Sequence, residues 1–107
     1  MNTEPKVIKL KGDEKYQRLL GGMPETLGMK SGYMTLKPGK SVGEHSTDSK
    51  EEAIVILQGR GEIFCSGKPP IVAEEKTLVY IPPDTKHDVK NTGTDILKYI
   101  YIVSPRT

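Results

Sequence analysis

The sequence predicts an all-β fold, an antiparallel sandwich or jelly roll, and three observations carry that prediction. From Gly32 onward, short apolar or alternating runs are separated by clusters of Gly, Pro, Asn and Asp, the spacing of strands joined by tight turns. Two of those runs, Glu52 to Leu57 and Ile96 to Val103, carry apolar residues on both faces, and a strand of that kind needs a cover on each side. The whole chain has 107 residues, enough for one domain around one core, and contains no internal repeat and no low-complexity linker.

Taken in order, Val7 to Leu10 reads as a first short strand, and Asp13 to Leu20 as one or two turns of helix ended by Gly21-Gly22. Residues 1–31 are expected to form an N-terminal arm and residues 32–107 the β-domain. Tyr33 to Leu36 is a strand closed by the Lys37-Pro38-Gly39 turn. The strand holding His45 follows, and the polar stretch Asp48 to Glu51 turns the chain into Glu52 to Leu57. On that strand Glu52, Ile54 and Ile56 share one face, with Ala53, Val55 and Leu57 on the other. Gly59 to Gly61 separates it from Glu62 to Ser66, and Gly67 to Pro70 leads to Ile71 to Ala73. Thr77 to Ile81, the Pro82-Pro83-Asp84 turn and Lys86 to Asn91 come next. After a turn over Asn91 to Asp95, the closing strand sets Leu97, Tyr99, Tyr101 and Val103 on one side and Ile96, Ile100 and Ile102 on the other.

Charge and cysteine content exclude several classes of function. Sixteen basic and 14 acidic residues leave a net charge of +2, mixed along the chain, so no basic face is available to follow a nucleic-acid backbone. The single cysteine, Cys65, has no internal disulfide partner and reads as a small apolar strand residue beside Phe64. Met1 to Pro5 is polar and lacks the apolar stretch of a signal peptide, and the run Ala53 to Leu57 is too short to cross a bilayer. The expectation is a cytoplasmic protein with no membrane and no nucleic-acid partner. The two-faced apolar strands lead us to expect a homodimer, the second subunit or the N-terminal arm covering the outer side.

The residues that bear chemistry fall in two segments. The first runs from Gly39 through His45, Thr47 and Glu52 to Gly59, and the second from Pro82 through Asp84 and His87 to Asn91. His45 and His87 are the only histidines. Two imidazoles and one carboxylate are a recognised donor set for a divalent transition metal with open coordination positions, provided the fold brings them together. His45 and Thr47, two apart on a strand, share a face.

These segments resemble the two motifs of the cupin family, G-x5-H-x-H-x4-E-x6-G and G-x5-P-x-G-x2-H-x3-N. Thr47 stands where the family usually has its second histidine, and Lys76 and Asp84 stand at the two glycines of the second motif. Aspartate tolerates the left-handed backbone such a glycine serves, whereas Lys76 implies a preceding turn of altered shape. The resemblance covers Tyr33 to Val103 and selects, among all-β choices, the double-stranded β-helix or jelly-roll barrel with a short N-terminal arm. It implies a metal site of His45, Glu52 and His87 holding Fe, Mn, Ni or Zn.

Around that site, Thr47 is expected to hydrogen-bond a metal-bound water rather than to act as a ligand. Asn91 reads equally as a hydrogen-bonding partner behind His87 or as the opener of the turn at Thr92-Gly93. Tyr33, Tyr80, Tyr99 and Tyr101 are the aromatic residues expected near the lumen, as donors to a substrate oxygen or as core packing with a tethered hydroxyl. Three functions follow from the resemblance: a metal-dependent enzyme of dioxygenase, isomerase or decarboxylase type acting on a small polar molecule, a non-catalytic binding or sensing barrel, and a metal-independent epimerase-like barrel in which a histidine is the base.

Overall fold

Alternation of buried and exposed side chains organises the chain into two facing antiparallel sheets. The structure, a computed structural model, describes residues 3–12 and 15–105. Its strands are β1 (Tyr16–Gly21), β2 (Lys30–Leu36), β3 (His45–Ser46), β4 (Lys50–Gln58), β5 (Gly61–Cys65), β6 (Ile71–Ala73), β7 (Leu78–Ile81), β8 (Lys86–Lys90) and β9 (Leu97–Pro105). One sheet has the order β1-β2-β9-β4-β7 and the other β3-β8-β5-β6. No helix is present among the described residues. The all-β prediction holds.

The core lies between the sheets. Ile54 and Ile56 of β4, Leu97 and Tyr99 of β9, and Met34 and Leu36 of β2 meet Ile63, Cys65, Ala73 and Val89 from the opposite sheet. Each fully buried Ile or Leu contributes roughly 1.5–3 kcal/mol relative to exposure. Glu52 continues the inward stripe of Ile54 and Ile56, with Ile81 and Val103 as its cross-strand neighbours. Strand period alone therefore carries a carboxylate into the barrel.

Two expectations for the N-terminal region are corrected. The segment read as helix over Asp13 to Leu20 contains β1, which pairs with β2 from Tyr16↔Met34 to Gly21↔Lys30; Asp13 and Glu14 lie outside the described residues. The exposed edge of β2 offers unpaired backbone groups, and satisfying them outweighs a weak helical preference. Val7 to Leu10 forms no strand. The Gln17 side chain holds it instead, accepting from the Lys11 amide at 2.8 Å and donating to the Lys9 carbonyl at 2.9 Å. The larger sheet thus begins before residue 32, since the arm supplies β1.

The turns obey the motif even where its residues differ. Gly59 has φ of 84°, and a Cβ there would collide with the Ile96 carbonyl. Lys76 and Asp84, at the two substituted glycine positions, adopt φ of 64° and 55°. The left-handed geometry survives without glycine, and His87 stays in register.

Candidate metal centre

Strands β3 and β8 pair so that His45 lies directly opposite His87, and the ring centroids stand 4.2 Å apart at an interplanar angle of 57°. Glu52 arrives from the other sheet. One ligand atom from each of His45, Glu52 and His87 falls within 4.8 Å of the others. The three sequence-predicted ligands are therefore brought together, His45 exposed and the other two buried.

Both histidines are oriented in the same way. His45 Nδ1 donates to the Gly43 carbonyl at 3.0 Å and His87 Nδ1 to the Thr85 carbonyl at 3.1 Å, each two residues back along the chain. A carbonyl only accepts, so both Nδ1 atoms carry the proton and Nε2 is left for a ligand or a second proton. Asp88 steadies the first of these contacts by accepting from the Gly43 amide at 2.9 Å. His87 Nε2 then meets Glu52 Oε1 at 3.1 Å. A lone pair facing a carboxylate would be repelled, so that gap must hold either a proton or a cation.

The gap also has the dimensions of a metal site. Two donors each about 2.1 Å from one ion stand about 3 Å apart when adjacent in its coordination shell, the spacing seen between His87 and Glu52. The donor set fits a divalent transition metal. With a proton in that gap, burial works against the charged His87 ring, but the Glu52 hydrogen bond, the Thr85 carbonyl and the charges of Glu52 and Asp88 outweigh it and raise its pKa above 6.5.

Thr47 departs from expectation. It is buried, but its hydroxyl donates to the Pro82 carbonyl at 2.7 Å and accepts from the Thr85 amide at 3.1 Å. With its one proton committed, Thr47 cannot donate to a bound water. It ties the His45 segment to the turn whose Thr85 carbonyl orients His87. Asn91, fully buried, is the turn opener: Nδ2 donates to the Leu36 and Asp95 carbonyls, both at 2.8 Å, and Oδ1 accepts from the Gly93 amide at 3.0 Å. None of its contacts is to His87, so the reading of Asn91 as a partner behind that ring is corrected.

A cavity of about 380 Å³ adjoins the centre, walled by His45, Thr47, Glu52, Tyr99 and Tyr101 together with Met34, Val42, Val89 and Val103. Tyr99 and Tyr101 are inside together. Burial first, then the Glu52 charge, raises the Tyr99 phenol; burial, the Tyr16 hydrogen bond and the nearby charges raise Tyr101. Both remain neutral hydroxyl donors at ordinary pH. Tyr33 is turned away: it pairs with Ile100 and Gln17, on the face opposite Met34 and Tyr99. Tyr80 also faces outward, more than half exposed, and its hydroxyl donates to Glu51 at 2.6 Å. Neither belongs to the lumen.

Sequence reasoning missed Tyr16, whose hydroxyl lies 3.0 Å from that of Tyr101. The helical reading of its segment hid the pairing of β1 with β2. The cavity wall Val89 was legible in principle, since it shares a strand face with His87; Met34 was not, because alternation sets it opposite Tyr33, the residue of its strand expected near the lumen.

A cupin-domain family profile matches residues 32–103. Among curated proteins, the chain is 29% identical over 110 residues to polyketide synthase CurC of Streptomyces cyaneus, covering 94% of this chain and 70% of that protein. It is 28% identical over 85 residues to protein SchB of Streptomyces halstedii, covering 77% of this chain and 61% of that one. Among solved structures, an RmlC-like cupin family protein with a double-stranded β-helix fold from Methanocaldococcus jannaschii superposes with a TM-score of 0.76 at 22% identity, over 94% of this chain and 91% of the other. With both motif segments and the two facing sheets already established, the profile match makes the assignment plain: the chain belongs to the cupin domain family.

Proposed function

We propose that this barrel holds one divalent transition metal through His45, Glu52 and His87, and acts as an enzyme on a small oxygen-bearing molecule seated in the adjoining cavity. The observation that carries the reading is the 3.1 Å approach of His87 Nε2 to Glu52 Oε1, with both histidine Nδ1 atoms anchored on backbone carbonyls. When bound, the ion would supply Lewis-acid polarisation, or electron transfer if it is iron.

The chain's own residues supply the rest. Met34, Val42, Val89 and Val103 give the cavity apolar walls that exclude water from an apolar substrate body. Tyr99 and Tyr101 are neutral donors able to orient a substrate oxygen, and their raised pKa values suit hydrogen bonding better than proton delivery. A compact molecule with an oxygenated edge and an apolar body suits such walls, and the similarity to two proteins of Streptomyces, one of them named as a polyketide synthase, supports that class.

Elemental analysis of untagged protein made with ample metal tests the proposal. About one transition-metal ion per chain is expected, with loss in His45→Ala, Glu52→Gln and His87→Ala; sub-stoichiometric metal in the parent protein overturns it. The Glu52–His87 contact also favours a second reading, a metal-independent barrel in which that pair moves a proton. Activity that survives exhaustive chelation selects it. A barrel that binds a ligand without turnover would be recognised by thermal stabilisation with the ligand recovered unchanged.

We also propose a homodimer. Leu78 is 64% exposed and Tyr80 55% exposed on β7, an edge strand, and a second copy would cover them. A monomer in sedimentation at micromolar concentration removes this.

A further inference from the structure

Tyr16 and Tyr101 bridge β2 from its two neighbouring strands. Tyr101 on β9 is the cross-strand partner of Gly32, and Tyr16 on β1 is that of Met34, so the two aromatic side chains approach each other diagonally over one face of β2. Their rings are stacked, with centroids 6.5 Å apart and an interplanar angle of 12°, and their hydroxyls stand 3.0 Å apart. Gly32 is the reason they can meet. A Cβ there would stand 2.6 Å from each ring, and Gly32 has no positive φ, so packing rather than backbone shape requires the glycine. Tyr101 thus leans over Gly32 toward β1 and walls the cavity beside the metal centre.

Tyr99, two residues earlier on the same face of β9, offers a free donor to the same cavity. It is 2% exposed, and among the described residues no hydrogen bond reaches its hydroxyl. That hydroxyl is not sealed in, because Thr35 Oγ1 is the one fully enclosed side-chain polar atom without a partner among the described residues. The little surface that Tyr99 keeps therefore opens on the cavity it lines. Native folds rarely leave a nearly buried donor unpaired, and an acceptor oxygen on a ligand would satisfy it.

An acceptor in the cavity also fixes the direction of the Tyr16–Tyr101 bond. That bond uses one hydroxyl proton of the two, so Tyr16 donates to Tyr101 and the Tyr101 proton is left for the ligand. Accepting one hydrogen bond strengthens the one a hydroxyl donates. Charge then selects the acceptor. No arginine walls the cavity, and Asp48 and Lys50 offset each other at its exposed rim. An anionic oxygen at the tyrosine wall would find no guanidinium to hold it, whereas a carbonyl needs nothing beyond neutral donors. We propose, resting on the ligand cavity of the proposed function, that Tyr16 is a positioning residue: it holds Tyr101 across Gly32, so that Tyr101 and Tyr99 present their hydroxyls to an uncharged carbonyl on the apolar body of the ligand.

The test is backbone amide NMR of the full chain, with zinc and again after chelation, titrated with acetophenone, with toluene, which lacks the carbonyl, and with benzoate, which replaces it by a charge. Saturable shifts at Tyr99, Tyr101 and Val103 are expected. Acetophenone should bind about threefold or more tightly than toluene and, in the chelated protein, more tightly than benzoate. Tyr16→Phe keeps the stacked ring and should melt near the parent temperature. It should weaken acetophenone about threefold and leave toluene unchanged, a contrast that general loosening of the barrel would not produce. Gly32→Ala should weaken both probes, because its methyl group drives the Tyr101 ring off β2. Toluene bound as tightly as acetophenone, benzoate bound more tightly than acetophenone by the chelated protein, or a Tyr16→Phe variant that leaves acetophenone unchanged or weakens both probes alike would each overturn the proposal. No saturable shift with any probe would overturn it together with the ligand cavity, whereas the same contrast in protein that takes up no zinc would overturn the metal centre and uphold the role of Tyr16.

Discussion

Thr47 is bonded to the turn that carries His87: its hydroxyl donates to the Pro82 carbonyl at 2.7 Å and accepts from the Thr85 amide at 3.1 Å. The position that holds a histidine in the family pattern serves here as a clamp between the two motif segments. Thr47→Val keeps the shape and leaves a buried carbonyl and amide unpaired, so it should destabilise the protein by about 1–3 kcal/mol. Thr47→Ser retains the hydroxyl and should recover most of that loss. Because Thr85 orients the His87 ring, Thr47→Val should also weaken metal binding, which serine restores. Denaturant unfolding with the parent's stability in the valine variant would refute the clamp.

The Glu52–His87 contact makes the metal-free protein sensitive to pH. His87 titrates above its ordinary value of 6.5 in the fold. The stabilisation from its charged form is therefore fully present below about pH 6.5 and lost as pH rises through the folded pKa. Between about pH 6 and 9 the metal-free protein should lose stability more steeply than Glu52→Gln, in which the carboxylate is gone. Metal binding runs the other way over the same window, because Nε2 must release its proton. Chemical denaturation of both proteins at several pH values checks this, and equal slopes would exclude the ion pair as the cause.

Much of this was legible in the sequence, and the reasons differ by element. Glu52, Ile54 and Ile56 reveal their shared inward face through strand period alone, and His45 and His87 were identified through motif spacing. What stayed hidden depends on partners distant in sequence. The edge of β2 turns Tyr16 to Gly21 into a strand, and no local pattern announces that edge. Tyr33 was misplaced because both faces of its strand are buried, so apolar character could not tell lumen from outer side. The Thr47 hydroxyl could be assigned only once the Pro82 to Thr85 turn stood against it.

Lys76 and Asp84 hold left-handed φ values of 64° and 55° where the family pattern has glycine. A side chain in that conformation costs roughly 1–2 kcal/mol, with aspartate the more tolerant of the two. Glycine removes the strain but loosens the unfolded chain, returning about 0.4–1 kcal/mol of the gain. Lys76→Gly should therefore stabilise the protein by up to about 1 kcal/mol, and Asp84→Gly by less. A lowered melting temperature in Lys76→Gly would mean that the lysine side chain contributes a contact that offsets its backbone strain.

Asn91 separates a structural role from a chemical one. Its side chain bridges the Leu36 carbonyl at the end of β2, the Asp95 carbonyl before β9 and the Gly93 amide between, all three bonds made by a fully buried amide. Its backbone amide and carbonyl add bonds to the Lys40 carbonyl and the Gly39 amide. Asn91→Ala keeps those backbone bonds but leaves two carbonyls and an amide unpaired, and should cost about 2–4 kcal/mol. Asn91→Asp should be worse near neutral pH, because a carboxylate cannot donate to the two carbonyls and would be buried opposite them. The metal content of the folded fraction should not change in either variant, since Asn91 makes no contact with His87. Loss of metal from an Asn91→Ala protein that melts like the parent would reverse the assignment and return Asn91 to the metal centre.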